Sequence, residues 1–565
     1  MTGMFGERAT TEPAQQGGPV PGLVRQFVES LIVLAIAVLS FRELVAEGYL
    51  ISTGSMAPFL LGYHRQVECP DCRLHFASGV QIDDDSRSAA QAQDLYGDDA
   101  RRGLATCPNC GFNRIDIDEF PQNEGDQLMV HKHAYDLRDP RRWEAIVFRN
   151  PEDPLQPYVK RVVGLPGERV EIRDGDVWID GQRPARSLSV LRGMRILVDD
   201  LAHQPERPAS DWRPRWAPSG ETSRWTVSRT GLNFAAAASA TPDASVSGIA
   251  DDPDYDWLTF RHWVRSGGRH VTRVALERWP ADAGPRPIAG DAITCGLDDR
   301  TLSCTGVLSD VDRDRWLRKS SDEAFRRAIL ELAEASHEAP ITDDYGYNPA
   351  HAPDAGYIVR DLLLELTAVP EAGAGRLAIE MDDGHTRMQV EFDFASGQVE
   401  LRDAERNQPL QHASLPDGNA GEARLIETSL VDGEFLVAVD GAPLLPAVRF
   451  EGHPSYPVPR RPIRVGAADG PLRITSLRVH RDVYYTPKAR TETPHQLAGD
   501  EFYVLGDNSP VSIDSRCWDR PGVRRGDLVG KPLIVHLPSQ QAEFELFGKR
   551  RFVRIPDFSR VRYIR

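Results

Sequence analysis

Residues 362–366 read Leu-Leu-Leu-Glu-Leu, residues 388–394 read Met-Gln-Val-Glu-Phe-Asp-Phe, and residues 435–439 read Phe-Leu-Val-Ala-Val. In each run a large apolar residue recurs at every second position, and turn pairs such as Asp383-Gly384 separate the runs. Successive side chains of a strand point to opposite faces, so this alternation predicts antiparallel strands with one buried face. The stretch from 357 to 486 therefore predicts a large antiparallel sheet.

Strands at such short intervals favour a sandwich, and this region resembles the jelly rolls of the concanavalin or laminin-G type. One helical excursion is expected near 311–336, where Ser320-x-x-Glu323 has the spacing of a capping box. The predicted fold class is mainly β, with this jelly-roll-like sandwich inserted in a second β core.

Composition supports a folded protein of several domains. The chain has 565 residues, 41% of them hydrophobic, which is too much apolar material for wholesale disorder. Its 67 basic and 84 acidic residues leave a net charge of −17, which argues against nucleic acid as a partner. Residues 1–22 lack apolar periodicity and predict a disordered tail.

An apolar segment follows this tail, with the unbroken run Leu31–Leu39 at its centre. The run is shorter than the roughly 20 residues that a spanning helix needs. From the residues alone, a cleaved signal peptide, a membrane anchor and a buried helix all remain open.

Three short segments far apart in the sequence carry the candidate chemistry. Residues 52–58 read Ser-Thr-Gly-Ser-Met-Ala-Pro, residues 158–168 read Tyr-Val-Lys-Arg-Val-Val-Gly-Leu-Pro-Gly-Glu, and residues 506–516 read Gly-Asp-Asn-Ser-Pro-Val-Ser-Ile-Asp-Ser-Arg. Taken singly, they fit a Gly/Pro turn, a strand and a polar loop. Together, in this order, they resemble the bacterial type I signal peptidases, the membrane-bound Ser/Lys proteases.

The resemblance covers residues 50–66, 121–186 and 498–540. It implies a signal-peptidase-type β core behind an anchor, in the cytoplasmic membrane, with a single pass and the catalytic domain outside. Exported preproteins and the lipid bilayer are the expected partners. The expected division of the chain is a tail (1–22), an anchor (23–48), core parts at 49–66, 121–186 and 498–540, insertions at 67–120 and 187–497, and a basic C-terminal tail (541–565).

A serine hydroxyl becomes a nucleophile when a neighbouring base takes its proton, and a neutral lysine amine can serve as that base. Ser55 and Lys160 are the candidates, and the flanking Val159, Val162 and Val163 are compatible with an apolar site that lowers the lysine pKa. No cofactor is expected for catalysis. By resemblance, Thr53 supplies an oxyanion donor and Ser512 holds the lysine. Supporting roles in the final loop fall to Asp507, Asn508, Asp514 and Arg516.

Two Cys-x-x-Cys pairs, Cys69/Cys72 and Cys107/Cys110, lie in the first insertion. Four thiolates at this spacing are typical of a structural zinc ribbon, whereas an extracytoplasmic location would also permit two disulfides. Cys295 and Cys304 form either a bridge or two buried thiols.

Two other functions are weighed against the peptidase. The first is an anchored β-sandwich binding protein with an inactive peptidase core. The second is a self-cleaving repressor, which shares a Ser/Lys dyad but needs a DNA-binding helical domain where the apolar segment stands.

Overall fold

The protein is described here as a computed structural model. The structure describes seventeen ranges of the chain: 22–44, 46–80, 103–150, 156–205, 212–220, 222–235, 255–265, 271–287, 291–296, 300–348, 356–371, 375–417, 421–450, 458–488, 493–536, 538–546 and 549–564. The tail expected at 1–22 lies outside these ranges except for Gly22.

The fold is mainly β, as the sequence predicts, because strands hold 42% of the described residues and helices 14%. The helices are α1 (Leu23–Leu44), α2 (Ala134–Leu137), α3 (Leu188–Met194), α4 (Asp310–Leu317) and α5 (Glu323–Ala335). Short 3-10 turns lie at Ile117–Glu119, Ala281–Ala283, Arg525–Asp527 and Phe558–Arg560.

Helix α1 contains the apolar run, and its side chains are exposed, with Leu31 at 49% and Val33 at 66%. Among the described residues, no helix combines the length and the apolar character that a membrane span requires.

The first sheet has eight strands and brings together parts of the chain that are far apart in sequence. Seven of its strands run in spatial order Ala46–Leu50, Gln127–His131, Leu528–Val535, Ala145–Arg149, Pro157–Gly164, Glu501–Leu505 and Gly522–Arg524. The eighth, Arg562–Tyr563, pairs with Leu528–Val535. A small sheet contains Asp176–Ile179, Arg169–Arg173 and His495–Gln496, and Asp174-Gly175 is the turn between its first two strands.

Two large antiparallel sheets share one hydrophobic core and therefore pack face to face. One has nine strands: Trp225–Ser228, Gly231–Phe234, Leu472–Arg481, Leu362–Pro370, Arg424–Val431, Glu434–Val439 and Ala442–Pro443 in order, with Ile196–Asp200 and Val448–Arg449 attached. The other has seven: Trp216–Pro218, Asp256–Phe260, Ile463–Ala468, Arg376–Asp382, Arg387–Asp393, Gln398–Asp403 and Gln408–Ser414.

The alternating residues of the opening stretch line this core. Leu364, Leu366, Val390, Phe392 and Val437 are all buried there, because each strand turns every second side chain inward. The periodicity thus identified the buried face correctly.

The remaining strands form four small sheets. They are Val271–Ala275 with Thr301–Thr305 and Thr294–Cys295; His75–Gly79 with His64–Glu68 and Gln122–Asn123; Leu104–Ala105 with Ile115–Asp116; and Ser539–Leu546 with Lys549–Pro556. The last pair is a hairpin in the region expected to be a basic tail, and its chain continues to the strand that rejoins the first sheet.

The helical excursion contains two helices, α4 and α5, and the second begins later than the capping box predicts. Asp322, not Ser320, caps α5, since its carboxylate accepts a hydrogen bond from the Phe325 N–H at 2.8 Å. The Ser320 hydroxyl instead donates to Asp282 at 2.6 Å, so a tertiary contact moves the start of the helix.

Candidate functional site

The three candidate segments meet at the first sheet. Lys160 lies on Pro157–Gly164, where it pairs in register with Ile146. The neighbouring strand Glu501–Leu505 leads directly into 506–516. Ser55 lies in a turn after the edge strand Ala46–Leu50, and its carbonyl accepts a hydrogen bond from the Asn508 N–H at 3.0 Å. The sheet order, not sequence proximity, brings these segments together.

The Lys160 ammonium nitrogen and the Ser55 hydroxyl are in direct contact. Lys160 Nζ donates a hydrogen bond to Ser55 Oγ at 2.6 Å across a sequence separation of 105 residues. The lysine is 3% exposed, and its burial lowers its pKa from 10.5 to about 8. Desolvation disfavours the charged amine, so the neutral form becomes accessible near physiological pH.

The carboxylate of Asp514 is paired with Arg516. The guanidinium of Arg516 contacts both carboxylate oxygens, at 2.8 and 2.7 Å, and both residues are fully buried. Burial by itself raises the pKa of Asp514, but the charge and hydrogen bonds of Arg516 outweigh it and lower the pKa. The Gly506 N–H also donates to Asp514 at 3.0 Å, so this ion pair braces the loop.

Asp507 makes a second buried ion pair, with Arg161, the residue after Lys160. Arg161 Nε and Nη2 donate to the two carboxylate oxygens of Asp507 at 2.8 and 2.5 Å. Arg161 stands in the Lys-Arg-Val-Val run, but nothing in the sequence pattern marks it as a residue of the site. This pair ties the lysine strand to the final loop.

Ser512 lies beneath the turn, fully buried, next to Gly506. A Cβ at Gly506 would overlap the Ser512 hydroxyl and the Ser55 carbonyl, so the close approach requires glycine there. Within the described residues, the Ser512 hydroxyl makes no hydrogen bond, and none joins it to Lys160. Thr53 is exposed, two residues before Ser55.

The four cysteines of the first insertion form one buried cluster. Their sulfur atoms all lie within 4.8 Å of one another, with Cys69 and Cys110 at 3.6 Å and Cys72 and Cys107 also at 3.6 Å. All seven cysteines of the chain belong to the described ranges, and each is a free thiol, including Cys295 and Cys304. Four convergent thiols are compatible with a structural zinc ion.

A second group with metal-binding potential was not foreseen. One carboxylate oxygen from each of Asp176, Asp361 and Asp432 lies within 4.8 Å of the others. Burial, and next the charge of the neighbouring Asp432 carboxylate, raise the pKa of Asp176 to about 7. Arg186 contacts Asp432 and Asp482 at 2.5 Å each, so a guanidinium already supplies positive charge to this group.

Comparison with known proteins locates the family resemblance. Residues 121–206 match the signal peptidase family, peptidase S26. The matched range includes Lys160, while Ser55 and 506–516 lie outside it.

Individual relatives agree with this match. A probable signal peptidase I-2 of Synechocystis sp. is 41% identical over 63 residues, which are 10% of this chain and 28% of the relative. Signal peptidase I of Pseudomonas fluorescens is 39% identical over 77 residues, 11% of this chain and 27% of the relative. The chain thus spans less than a third of the length of either relative.

Among solved structures, the galectin LEC-6 of Caenorhabditis elegans matches 21% of this chain and 81% of its own chain, with 13% sequence identity. The TM-score of 0.17 is too low to support a conclusion. The relatives do not favour a binding protein with an inactive core. Residues 121–206 are therefore similar to the signal peptidase family, peptidase S26, and short stretches of the chain are similar to type I signal peptidases.

Proposed function

We propose that the protein is a membrane-anchored serine endopeptidase that removes signal peptides from exported preproteins, with Ser55 as nucleophile and Lys160 as general base. The observation that carries this proposal is the 2.6 Å hydrogen bond between the buried Lys160 amine and the Ser55 hydroxyl. Nucleophile and base at this distance can exchange a proton without rearrangement.

The reaction has two stages. Ser55 Oγ bonds to the carbonyl carbon of the scissile peptide while its proton moves to Lys160 Nζ, and the carbonyl oxygen becomes an oxyanion. The tetrahedral intermediate then expels the amine, which takes the proton from Lys160. The Lys160 amine then takes a proton from a water molecule, whose oxygen bonds to the acyl carbon. Ser55 Oγ leaves that carbon and takes the proton back from Lys160.

The oxyanion needs hydrogen-bond donors aimed at it. The Ser55 backbone N–H and the Thr53 hydroxyl are the proposed donors. The exposure of Thr53 and of part of the Ser55 turn is consistent with a site open to an extended peptide.

The lowered pKa of Lys160 makes the chemistry efficient at neutral pH. With a pKa of about 8, roughly a tenth of the amine is neutral at pH 7, against about 0.03% for a pKa of 10.5. The burial of Lys160 therefore raises the concentration of the active base about 300-fold. The Asp514–Arg516 and Asp507–Arg161 ion pairs partly neutralise two carboxylates near the lysine. The proposal gives Ser512 the role of hydrogen-bonding the lysine once Ser55 is acylated.

The proposal includes membrane attachment through α1. Its exposed apolar side chains, from Leu31 to Leu39, have the chemistry of a surface that contacts lipid. A single pass would hold the active site outside the cytoplasmic membrane, beside preproteins anchored in the same bilayer. The signal peptides would end in small residues in the pattern Ala-x-Ala.

We also infer that Cys69, Cys72, Cys107 and Cys110 hold a structural zinc ion. Four thiolates complete a tetrahedral shell, so the ion would stabilise the first insertion and take no part in the hydrolysis.

The experiment is cleavage of a preprotein with an Ala-x-Ala site by the full chain in detergent. Ser55→Ala should abolish cleavage, because no other group replaces the nucleophile. Ser52→Ala, an exposed serine three residues earlier, is the matched control and should retain cleavage. Equal activity of Ser55→Ala and the wild type would overturn the proposal, as would an inactive wild type.

A further inference from the structure

The segment 343–348 belongs to the large insertion but packs against the candidate site. Within it, the Tyr345 hydroxyl donates to the Asp507 carbonyl oxygen at 2.6 Å, and the side chain of Asn348 contacts that of Asn508. The Asn508 side chain also donates a hydrogen bond to the Gly54 carbonyl, in the turn that carries Ser55. A chain of hydrogen bonds therefore runs from the insertion to the nucleophile.

The contact between Asn348 and Asn508 is reciprocal. Asn348 Nδ2 donates to Asn508 Oδ1 at 2.8 Å, and Asn508 Nδ2 donates to Asn348 Oδ1 at 2.7 Å. Both residues are buried. A flip of one amide alone would set the two oxygens against each other and the two NH2 groups against each other, so each side chain fixes the orientation of the other.

This orientation decides which atom of Asn508 faces Gly54. With its Nδ2 directed as described, Asn508 donates its second hydrogen to the Gly54 carbonyl oxygen at 3.0 Å. The flipped amide would present an oxygen to that carbonyl, and the hydrogen bond would be lost.

The Gly54 carbonyl and the Ser55 N–H belong to the same peptide group. A trans peptide is planar, and its C=O and N–H point in opposite directions. A hydrogen bond that fixes the Gly54 oxygen therefore also fixes the direction of the Ser55 N–H, which is one of the two proposed oxyanion donors.

Tyr347 limits movement of the same turn from another side. A Cβ at Gly54 would overlap the Tyr347 ring, so ring and backbone are in close contact. The Tyr347 hydroxyl donates to the Tyr63 carbonyl at 2.9 Å, and its own carbonyl accepts from the Gly79 N–H at 2.6 Å. These two bonds hold the ring in place.

We propose that Asn348 is a positioning residue for the oxyanion site: through Asn508 and the Gly54 carbonyl, it fixes the direction of the Ser55 N–H. The inference rests on the proposed function. Asn348 touches no reacting atom, and its effect is transmitted by two hydrogen bonds. The large insertion thereby contributes to the peptidase site itself.

The test is the variant Asn348→Ala in the full chain. Loss of a direct oxyanion donor costs about 10²- to 10³-fold in kcat, and an indirect effect should be smaller, so we expect kcat to fall about tenfold with KM unchanged. The acid limb of the pH profile should stay where it is in the wild type, because Asn348 does not contact Lys160.

A second readout uses a peptide aldehyde that ends in alanine. Ser55 Oγ bonds to the aldehyde carbon, the hydroxyl proton passes to Lys160 Nζ, and the aldehyde oxygen takes the electron pair as an oxyanion. Affinity for this compound should fall in Asn348→Ala by the same factor as kcat, since both depend on the Ser55 N–H.

The control is Asn123→Ala, another buried asparagine, which pairs with His64 in a small sheet. Within the described residues its side-chain oxygen has no hydrogen-bond partner, so kcat and aldehyde affinity should stay at wild-type values whatever the truncation does to the thermal midpoint. Should Asn348→Ala fail to fold, Asn348→Asp is the alternative, because it keeps the side-chain shape but replaces the Nδ2 donor with an oxygen acceptor. It should lower both kcat and the affinity for the aldehyde.

If Asn348→Ala had the kcat and the aldehyde affinity of the wild type, the positioning role would be overturned. The proposed function would still stand, provided that the wild type cleaves the preprotein. Equal losses in the Asn348 and Asn123 variants would also overturn it, because they would trace to stability. A wild type that cleaves no preprotein would overturn the proposed function first, and the positioning role with it.

Discussion

Replacement of Lys160 by methionine should stabilise the fold at neutral pH although it removes the proposed base. The buried lysine has its pKa lowered from 10.5 to about 8, a difference worth about 3 kcal/mol against the folded state. The sign follows from proton binding: the unfolded chain binds the lysine proton more tightly, so the destabilisation is complete below pH 8 and disappears above pH 10.5.

The net change at pH 7 is smaller than this. Lys160→Met also loses the hydrogen bond to Ser55, which costs about 1 kcal/mol. A gain of about 2 kcal/mol should remain at pH 7 and should be gone at pH 10, where the penalty on the buried ammonium form is about 2.5 kcal/mol smaller.

The assay is urea unfolding followed by tryptophan fluorescence at the two pH values. Lys531→Met is the control, since Lys531 makes an ion pair with Glu144 at 2.6 Å and is 23% exposed. That variant should lose stability at pH 7. If Lys160→Met were as destabilised at pH 7 as at pH 10, the fold would not disfavour the ammonium form, and the reasoning for a neutral lysine base would fail.

Three further outcomes are expected. The kcat/KM for preprotein cleavage should rise with pH to a plateau above an apparent pKa near 8, because only neutral Lys160 accepts the serine proton; a flat profile between pH 6 and 8 would contradict this. Asp514→Asn leaves Arg516 buried without its counter-charge and should lower the free energy of unfolding in urea at pH 7 by about 3–5 kcal/mol. A decrease of less than about 1 kcal/mol would show that this ion pair does not stabilise the loop. Cys107→Ser should lose the zinc ion by metal analysis and lower the thermal midpoint, and a wild type purified from zinc-containing medium without bound metal would refute the site.

The sequence predicts the β architecture well, because alternation along a strand reports directly which face is buried. The run around Leu364 is an example, since its alternate residues all enter the shared core. The candidate site is less accessible to such reasoning. Lys160 and Ser55 could be paired only through the family resemblance, since no local pattern links positions 105 residues apart.

Other parts of the site had no signal in the sequence. Asn348 meets Asn508 across 160 residues, and neither stands in a pattern that names the other. Similarly, Ser320 has the right spacing for a cap but is taken up by Asp282, a residue 38 positions earlier. Local rules fail where a long-range hydrogen bond competes with them.

The interleaved order of the first sheet has a consequence for biosynthesis. Leu528–Val535 lies between Gln127–His131 and Ala145–Arg149, two strands made almost 400 residues earlier. Until the ribosome has added residues 528–535, each of these early strands lacks a neighbour on one side and exposes an open edge, while the large insertion can already complete its own pairing. The proposed proteolytic activity would consequently wait for residues 528–535. A nascent chain stalled before residue 500 would have the proposed nucleophile and base but not the strand that joins the two halves of their sheet.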